Sequence, residues 1–376
     1  MSKKYIPQNQ RLNRTVIAAG IISLSAFFLV QFFASGKESV PYSETMIKTA
    51  HIMEKAISII GEYCDKSGVK IDNTIDPNRT GLVFPEHSEL TTSLGHLGAK
   101  RTTTNPNVAA LIVYLLDRTG VIPGDTIAIG CSASFPALMI GSLAAAKAME
   151  VCPVIIISLG ASSYGATDID FNLLDIYRLL LREGIVAIQP AAVSLGGERD
   201  IGEGFGSDIK ERLIQQIQLS GIPFIHESDL RKNVSTRMKI YEGNSSDSQI
   251  SAFINIGGSY ANLGISGLAL KLKPGLNEKM SIPVKKDRGV LFEIAARNTP
   301  IIHLLYIKGL ALRYGLPWDP IPLPKPGETT LYDRESQYAM PFWLISMTYF
   351  LVVVLMVSYE RIKCLIKLIK YKCLIK

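Results

Sequence analysis

Long apolar runs stand near both ends of the chain, and a regular alternation of apolar and polar positions lies between them. Thr15 to Gly36 is 22 residues without a charge, and Ser336 to Tyr359 is 24. About 20 helical residues cross a hydrocarbon layer of about 30 Å, so these runs predict transmembrane helices at 15–36 and 341–359. A cleaved signal peptide is the alternative for the first. Its apolar stretch is longer than such segments carry, and Phe33 stands where a small residue precedes a cut. A buried core helix is the alternative for the second.

Behind Ser43, residues 44–66 place apolar side chains at every third or fourth position, which predicts an amphipathic helix. The stretch from there to Asn107 is polar and turn-rich, the kind of long irregular segment that often carries function. Residues 108–120 then read as a helix ending at Gly120. From Asp125 onward short apolar strands alternate with helices. Strands are expected at DTIAIG, VCPVIIISLG, IVAIQPAAVSLG, IPFIHE and SAFINIGG, with helices after each of the first four. That alternation indicates an α/β domain with a mainly parallel sheet and flanking helices. Residues 289–315 read as one or two helices, and PWDPIPLPKPGE as an extended link.

Charge changes the picture by setting a topology. Lys3, Lys4, Arg11 and Arg14 precede the first run without an acid. Arg361, Lys363, Lys367, Lys370, Lys372 and Lys376 follow the second against Glu360 alone. Short basic flanks stay on the cytoplasmic side. The expected organisation is a cytoplasmic basic N-terminus at 1–14, a transmembrane helix at 15–36, an extracytoplasmic α/β domain at 37–340, a second transmembrane helix at 341–359 and a basic cytoplasmic tail at 360–376, in a bacterial inner membrane. The tail alternates bases with Ile and Leu, as a segment lying along a membrane surface does. The net charge of +7 is then a property of the flanks; the rest of the chain holds 30 basic and 32 acidic residues. It is no argument for nucleic-acid binding. The five cysteines form no CxxC pair, which speaks against a cysteine-based zinc or redox site. Cys64, Cys131 and Cys152 allow one disulfide without fixing which.

Three expected strands end alike, in Gly, a small residue and Ser: Cys131-Ser132 after IAIG, Ala161-Ser162 after IISLG, and Gly257-Gly258-Ser259 after INI. Parallel sheets bind ligands at the carboxyl ends of their strands, and small residues let backbone N–H groups approach. Ser132, Ser134, Ser162, Ser163, Gly257, Gly258 and Ser259 are therefore ligand-binding candidates; tight strand-to-helix turns explain the same residues without a ligand. The loop LGGERDIGEGFG (195–206) places Arg199, Asp200 and Glu203 among five glycines. Arg199 can hold a carboxylate, and Asp200 or Glu203 can act as a base. A Ser132–His226–Asp229 triad can be drawn, although GCSAS is not a nucleophile elbow. His87 and His96 with Glu86 and Glu89 do not match a metal-binding spacing, and no metal site is expected. No GK[ST] or GxGxxG loop is present, and no cofactor is indicated.

With its two terminal runs and the segments GCSASFPAL, SLGASSYGAT, SLGGERDIGEGFG and INIGGSYANLG, the chain resembles the bacterial poly-gamma-glutamate system protein family. The resemblance covers almost the whole chain and implies no particular catalytic residue. It implies a membrane-anchored accessory of poly-gamma-glutamate capsule synthesis and export, beside the polymer ligase and its multi-span membrane partner, with an outer domain that binds or guides the anionic polymer. Arg79, Lys100, Arg101, Arg199 and Arg237 are the basic residues available for such a polyanion. An outer-face hydrolase or transferase acting on the polymer, or a sensor of glutamate or peptides, are the alternatives.

Overall fold

A computed structural model describes residues 20–29, 42–245, 249–332 and 339–373. The chain divides into two units. One holds α1 (20–29) and α12 (Ala339–Cys373), with Ser23 Oγ 2.9 Å from the Tyr349 hydroxyl. The other, residues 42–332, carries the α/β fold. Its elements run α2 (Ser43–Ser67), β1 (Thr91–Ser93), α3 (Leu97–Thr103), α4 (Asn107–Asp117), β2 (Thr126–Ser132), α5 (Pro136–Ala148), β3 (Cys152–Ser158) and β4 (Ala161–Ser162). There follow α6 (Leu173–Arg182), β5 (Ala192–Ser194), α7 (Ser207–Ser220), β6 (Phe224–Ile225), α8 (Leu230–Gly243), β7 (Ala252–Ile256) and α9 (Tyr260–Leu263). The unit closes with β8 (Gly275–Asn277), α10 (Val290–Ala295), β9 (Ile301–Leu304) and α11 (Ile307–Tyr314).

Seven strands form one mixed sheet in the order β6-β5-β3-β2-β7-β9-β8, parallel except for the edge strand β8; β1 and β4 pair separately in parallel. Every residue of β2 is buried. Central parallel strands are covered on both faces, which is why β2 and β3 read as unbroken apolar runs. On one face α5 lies against β3 and β7, and α2 and α4 pack over it. Gly141 of α5 meets both helices there: a Cβ on it would stand 3.2 Å from Ile112 Cδ1 of α4 and 3.4 Å from the Met53 sulfur of α2. The opposite face carries Ala128, Ile156 and Phe253, packed beneath Val234, Met238 and Tyr241 of α8 and Leu291 of α10.

On that second face a polar row interrupts the apolar core. Gly130 lies beside Asn255 in the sheet register, and Asn255 beside His303. Asn255 Nδ2 lies 3.2 Å from His303 Nδ1 and donates to the Gly257 carbonyl at 2.9 Å. Burial pushes the His303 ring down to about 4, so Nδ1 accepts and the ring stays neutral at ordinary pH. The missing side chain at Gly130 leaves room for the Asn262 amide, whose Nδ2 would stand 2.4 Å from a Cβ built there.

The two expected transmembrane helices are corrected. Among the described residues no helix is long and apolar enough to cross a membrane. Of the first run only 20–29 is described. The second run lies in α12, which continues without a break into the charged segment from Glu360 to Lys372. The inner-membrane location and the assignment of cytoplasmic and outer segments rested on these spans and fall with them. Residues 1–14 and 374–376 lie outside the described residues. Residues 289–315, expected to be helical, enclose the strand β9 between α10 and α11. The Pro-rich run is a strap rather than a free link. Asn107 Nδ2 donates to the Lys325 carbonyl at 3.0 Å, and Asn107 Oδ1 accepts from Gly327 N at 3.0 Å.

Replacing Gly130 by Ala forces its Cβ into the Asn262 amide. The expected loss is about 1–3 kcal/mol of unfolding free energy, read as a lower urea midpoint with an unchanged slope.

Candidate functional site

The strand order reverses between β2 and β7. The chain builds β2, β3, β5 and β6 outward in one direction and returns to place β7 and β9 on the other side. Loops leaving the carboxyl ends of strands diverge at such a point and open a crevice. A cavity of about 670 Å³ lies here, within the range that small-molecule sites occupy. All four Gly/Ser segments reach it: Ser132 and Ser134, Ser158 and Ser162, Gly196 and Gly197, and Gly258 and Ser259. Phe135, Leu263, Tyr306 and Trp318 also line it, as do the charged groups Lys308 and Glu198. Trp318 is held by its neighbour Asp319, which pairs with Arg101 of α3 (Nε–Oδ1 2.8 Å) and whose N–H donates to Thr102 Oγ1 at 2.8 Å.

Lys100 is the unusual group. It is 3% exposed, yet among the described residues its amine meets no carboxylate. It donates to the Ser134 carbonyl and to Ser162 Oγ at 2.7 Å, and lies 3.9 Å from the centre of the Phe135 ring. Burial pulls its pKa down to about 7, because a low-dielectric surrounding disfavours the ammonium. Folding thus lowers the pKa below that of the unfolded chain. Between about 7 and 10.5 the unfolded chain holds a proton that the folded one lacks, and stability rises with pH across that window.

Beneath the cavity floor a second polar cluster fixes the 195–206 loop. Asp200 and Arg237, both fully buried, form an ion pair with Nη2–Oδ2 at 2.7 Å. Ser194 Oγ donates to Asp200 Oδ1 at 2.7 Å and accepts from Arg237 Nη2 at 2.8 Å, and Ser158 Oγ lies 2.8 Å from Ser194 Oγ. Asn233 Nδ2 donates to Asp200 Oδ2 at 2.9 Å. Arg199 and Asp200 hold positive φ values of 53° and 64°, a strained backbone kept in place by this network.

The other candidate residues separate clearly. Ser132 is buried, its hydroxyl 3.5 Å from the Ile256 carbonyl. Ser134 Oγ accepts from Ser162 N at 3.0 Å, and Ser259 caps α9. Ser163 is buried with its N–H on the Ser93 carbonyl, and Gly257 donates to Leu304; neither lines the cavity. Arg199 is half-exposed beside Glu203 at 3.9 Å. The Ser132–His226–Asp229 triad is not assembled. His226 follows β6, three strand spacings from β2 or about 14 Å, and Asp229 is the N-cap of α8, accepting from Lys232 N at 2.9 Å. Among the described residues no three His, Cys, Asp or Glu side chains gather to hold a metal ion. Cys64, Cys131 and Cys152 are free thiols, so no disulfide joins any two of them; burial raises Cys64 to about 12.

The part played by Lys100 escapes the sequence, since it lies in a run without periodicity. The buried Arg237 left a trace: Asn233, Arg237 and Tyr241 recur every four residues on the face of α8 that buries Val234 and Met238. Trp318 and Tyr306 sit outside every motif.

No family model matches the chain, and no curated protein or solved structure matches it either. The expected role in poly-gamma-glutamate synthesis and export, with the membrane, the polymer ligase, its multi-span partner and the anionic polymer as partners, is corrected. It placed the chain in a membrane that no described helix crosses, and the five basic residues named for the polyanion are engaged or buried. Arg79 pairs with Asp65 at 2.6 Å, Arg101 with Asp319, Arg199 with Glu203 and Arg237 with Asp200, while Lys100 is buried.

Asp200→Ala leaves the Arg237 guanidinium buried without its partner and is expected to lower stability by about 3–5 kcal/mol. Adding Arg237→Met is expected to recover part of that loss. Chemical denaturation of both variants checks the sign of the difference.

Proposed function

We propose that residues 42–332 bind a small organic molecule in the switch-point cleft, with a carbonyl- or carboxylate-bearing head against the Ser/Gly wall and a flat apolar end against Trp318 and Tyr306. The observation that carries this reading is the convergence of all four Gly/Ser segments on one cavity at the reversal of strand order. The lining carries donors, among them the Ser134 hydroxyl, Lys100 and Lys308. Acceptor-rich heads match such a wall. The aromatic wall supplies apolar area at fixed positions. Membership of the poly-gamma-glutamate system protein family is a separate proposal, resting on the four segments alone, and nothing in the ligand reading depends on it.

A panel of small acids and amides tests this: phenylacetate, 3-phenylpropionate, N-benzoylglycine and their primary amides, with glucose as a neutral control. At 100 times its dissociation constant a bound member stabilises the fold by about 2.7 kcal/mol, visible as a raised Tm. Gly258→Leu is the decisive variant. Gly258 lines the cavity, and a Cβ there would meet nothing closer than 3.9 Å, so the variant folds and fills the cleft. It is expected to abolish the ligand-induced shift while leaving the unliganded Tm in place. Trp318→Ala is expected to weaken binding up to about tenfold. A panel without any binder, or undiminished binding by Gly258→Leu, contradicts the reading.

A further inference from the structure

Six serines line the cavity, Ser93 at the end of β1 among them, and four of the other five are committed elsewhere. Ser132 Oγ is turned to the Ile256 carbonyl, Ser134 Oγ accepts a backbone N–H, Ser158 joins the Asp200–Arg237 cluster, and Ser259 caps α9. Of these, Ser162 has its hydroxyl against an amine, Lys100 Nζ at 2.7 Å. Its backbone is fixed by pairing with β1 and by the bond from its N–H to Ser134. Gly95 stands beside it, where a Cβ would lie 3.2 Å from Ser162 Oγ.

We propose that Ser162 and Lys100 form a catalytic pair that hydrolyses a small ester or amide through an acyl-Ser162 intermediate, which rests on the cleft being the ligand site. Lys100 Nζ takes the Ser162 hydroxyl proton as Oγ forms a bond to the substrate carbonyl carbon, and the carbonyl π electrons move to its oxygen. Collapse breaks the bond to the leaving alcohol or amine, which departs with the proton from Lys100. Water then attacks the acyl carbon, its proton passing to Lys100. The bond to Oγ breaks, Ser162 regains the proton, and the carboxylic acid is released. An amine that titrates near pH 7 suits the base role. The donor pattern alone suits a merely structural lysine. What separates the two is the absence of any carboxylate on the amine. Among the described residues, the charged or titratable groups that share its surroundings are His96 at the N-cap of the same helix, the Arg101–Asp319 pair, and Glu198, Tyr260, Tyr306 and Lys308 of the cavity lining, and none is hydrogen-bonded or ion-paired to it.

The test uses the full chain and an alkyl fluorophosphonate, which forms a phosphonyl ester on an activated serine with loss of fluoride. Peptide mass spectrometry is expected to place the label on Ser162, and Ser162→Ala to remove it. Lys100→Met is expected to slow labelling about 10²-fold or more. In the unmodified chain the labelling rate is expected to rise with pH through an inflection near 7 and then level off. Absence of label on Ser162 in protein that binds the panel ligand overturns the catalytic pair and leaves the binding site standing. Should Lys100→Met fail to fold, the pH profile decides: a flat rate, or an inflection above 9, overturns the proposal. Failure of every panel member to bind is a different result and strikes the ligand reading itself.

Discussion

An amine buried without a counter-charge is the constraint around which the site is arranged. Lys100 reaches from the short helix α3 across to the exits of β2 and β4, where it finds a carbonyl, a hydroxyl and an aromatic face. Desolvation of an ammonium in such surroundings is expensive, and the group answers by giving up its proton near neutrality. That places the irregular segment before β2 in direct contact with the sheet edge. The Trp318 strap is then fastened to the same helix through Arg101 and Asp319. The aromatic wall of the cleft and its basic group thus depend on one seven-residue helix.

The floor of the cleft depends on the opposite solution to the same problem. Arg237 and Asp200 are as deeply buried as Lys100, but each has the other, together with Asn233, Ser194 and Ser158. A buried pair supplies little net stability over an apolar core, yet removing one partner is strongly destabilising. Its effect here is positional. It pins a glycine-rich loop in which Gly196 and Gly197 take positive φ and come so close to Gly160 that a Cβ on Gly196 would stand 2.6 Å from the Gly160 nitrogen. Only glycine permits that approach of two strand exits.

Much of the α/β core was legible because its signals are local. The apolar runs of β2 and β3, the periodicity of α2, and the repeated Gly-small-Ser strand exits can each be read within a few residues. The exits did converge on one cavity, with Ser163 and Gly257 left outside it. What was not legible depends on distant partners. β9 is four residues long and lies in a stretch whose apolar residues suit a helix equally well; its pairing with β7 decides the matter. The Ser132–His226–Asp229 triad failed because strand order is a tertiary fact: IPFIHE became the far edge of the sheet. Arg237 looked like an exposed charge until Asp200, 37 residues earlier, was folded onto it. The apolar ends suggested membrane spans by composition alone, and no described helix has the length and apolarity to cross.

The central claim is that Lys100 is a neutral base at the mouth of a serine hydroxyl, and its own titration tests this most directly. The chain labelled with ¹³C and ¹⁵N at lysine, with Lys100→Arg to assign the resonance, gives the pKa of the amine from the pH dependence of the Cε–Nζ correlation. The account predicts a midpoint near 7, as burial alone sets it. A midpoint near that of an exposed lysine, about 10.4, would mean that the amine is charged in the folded protein, and would contradict it.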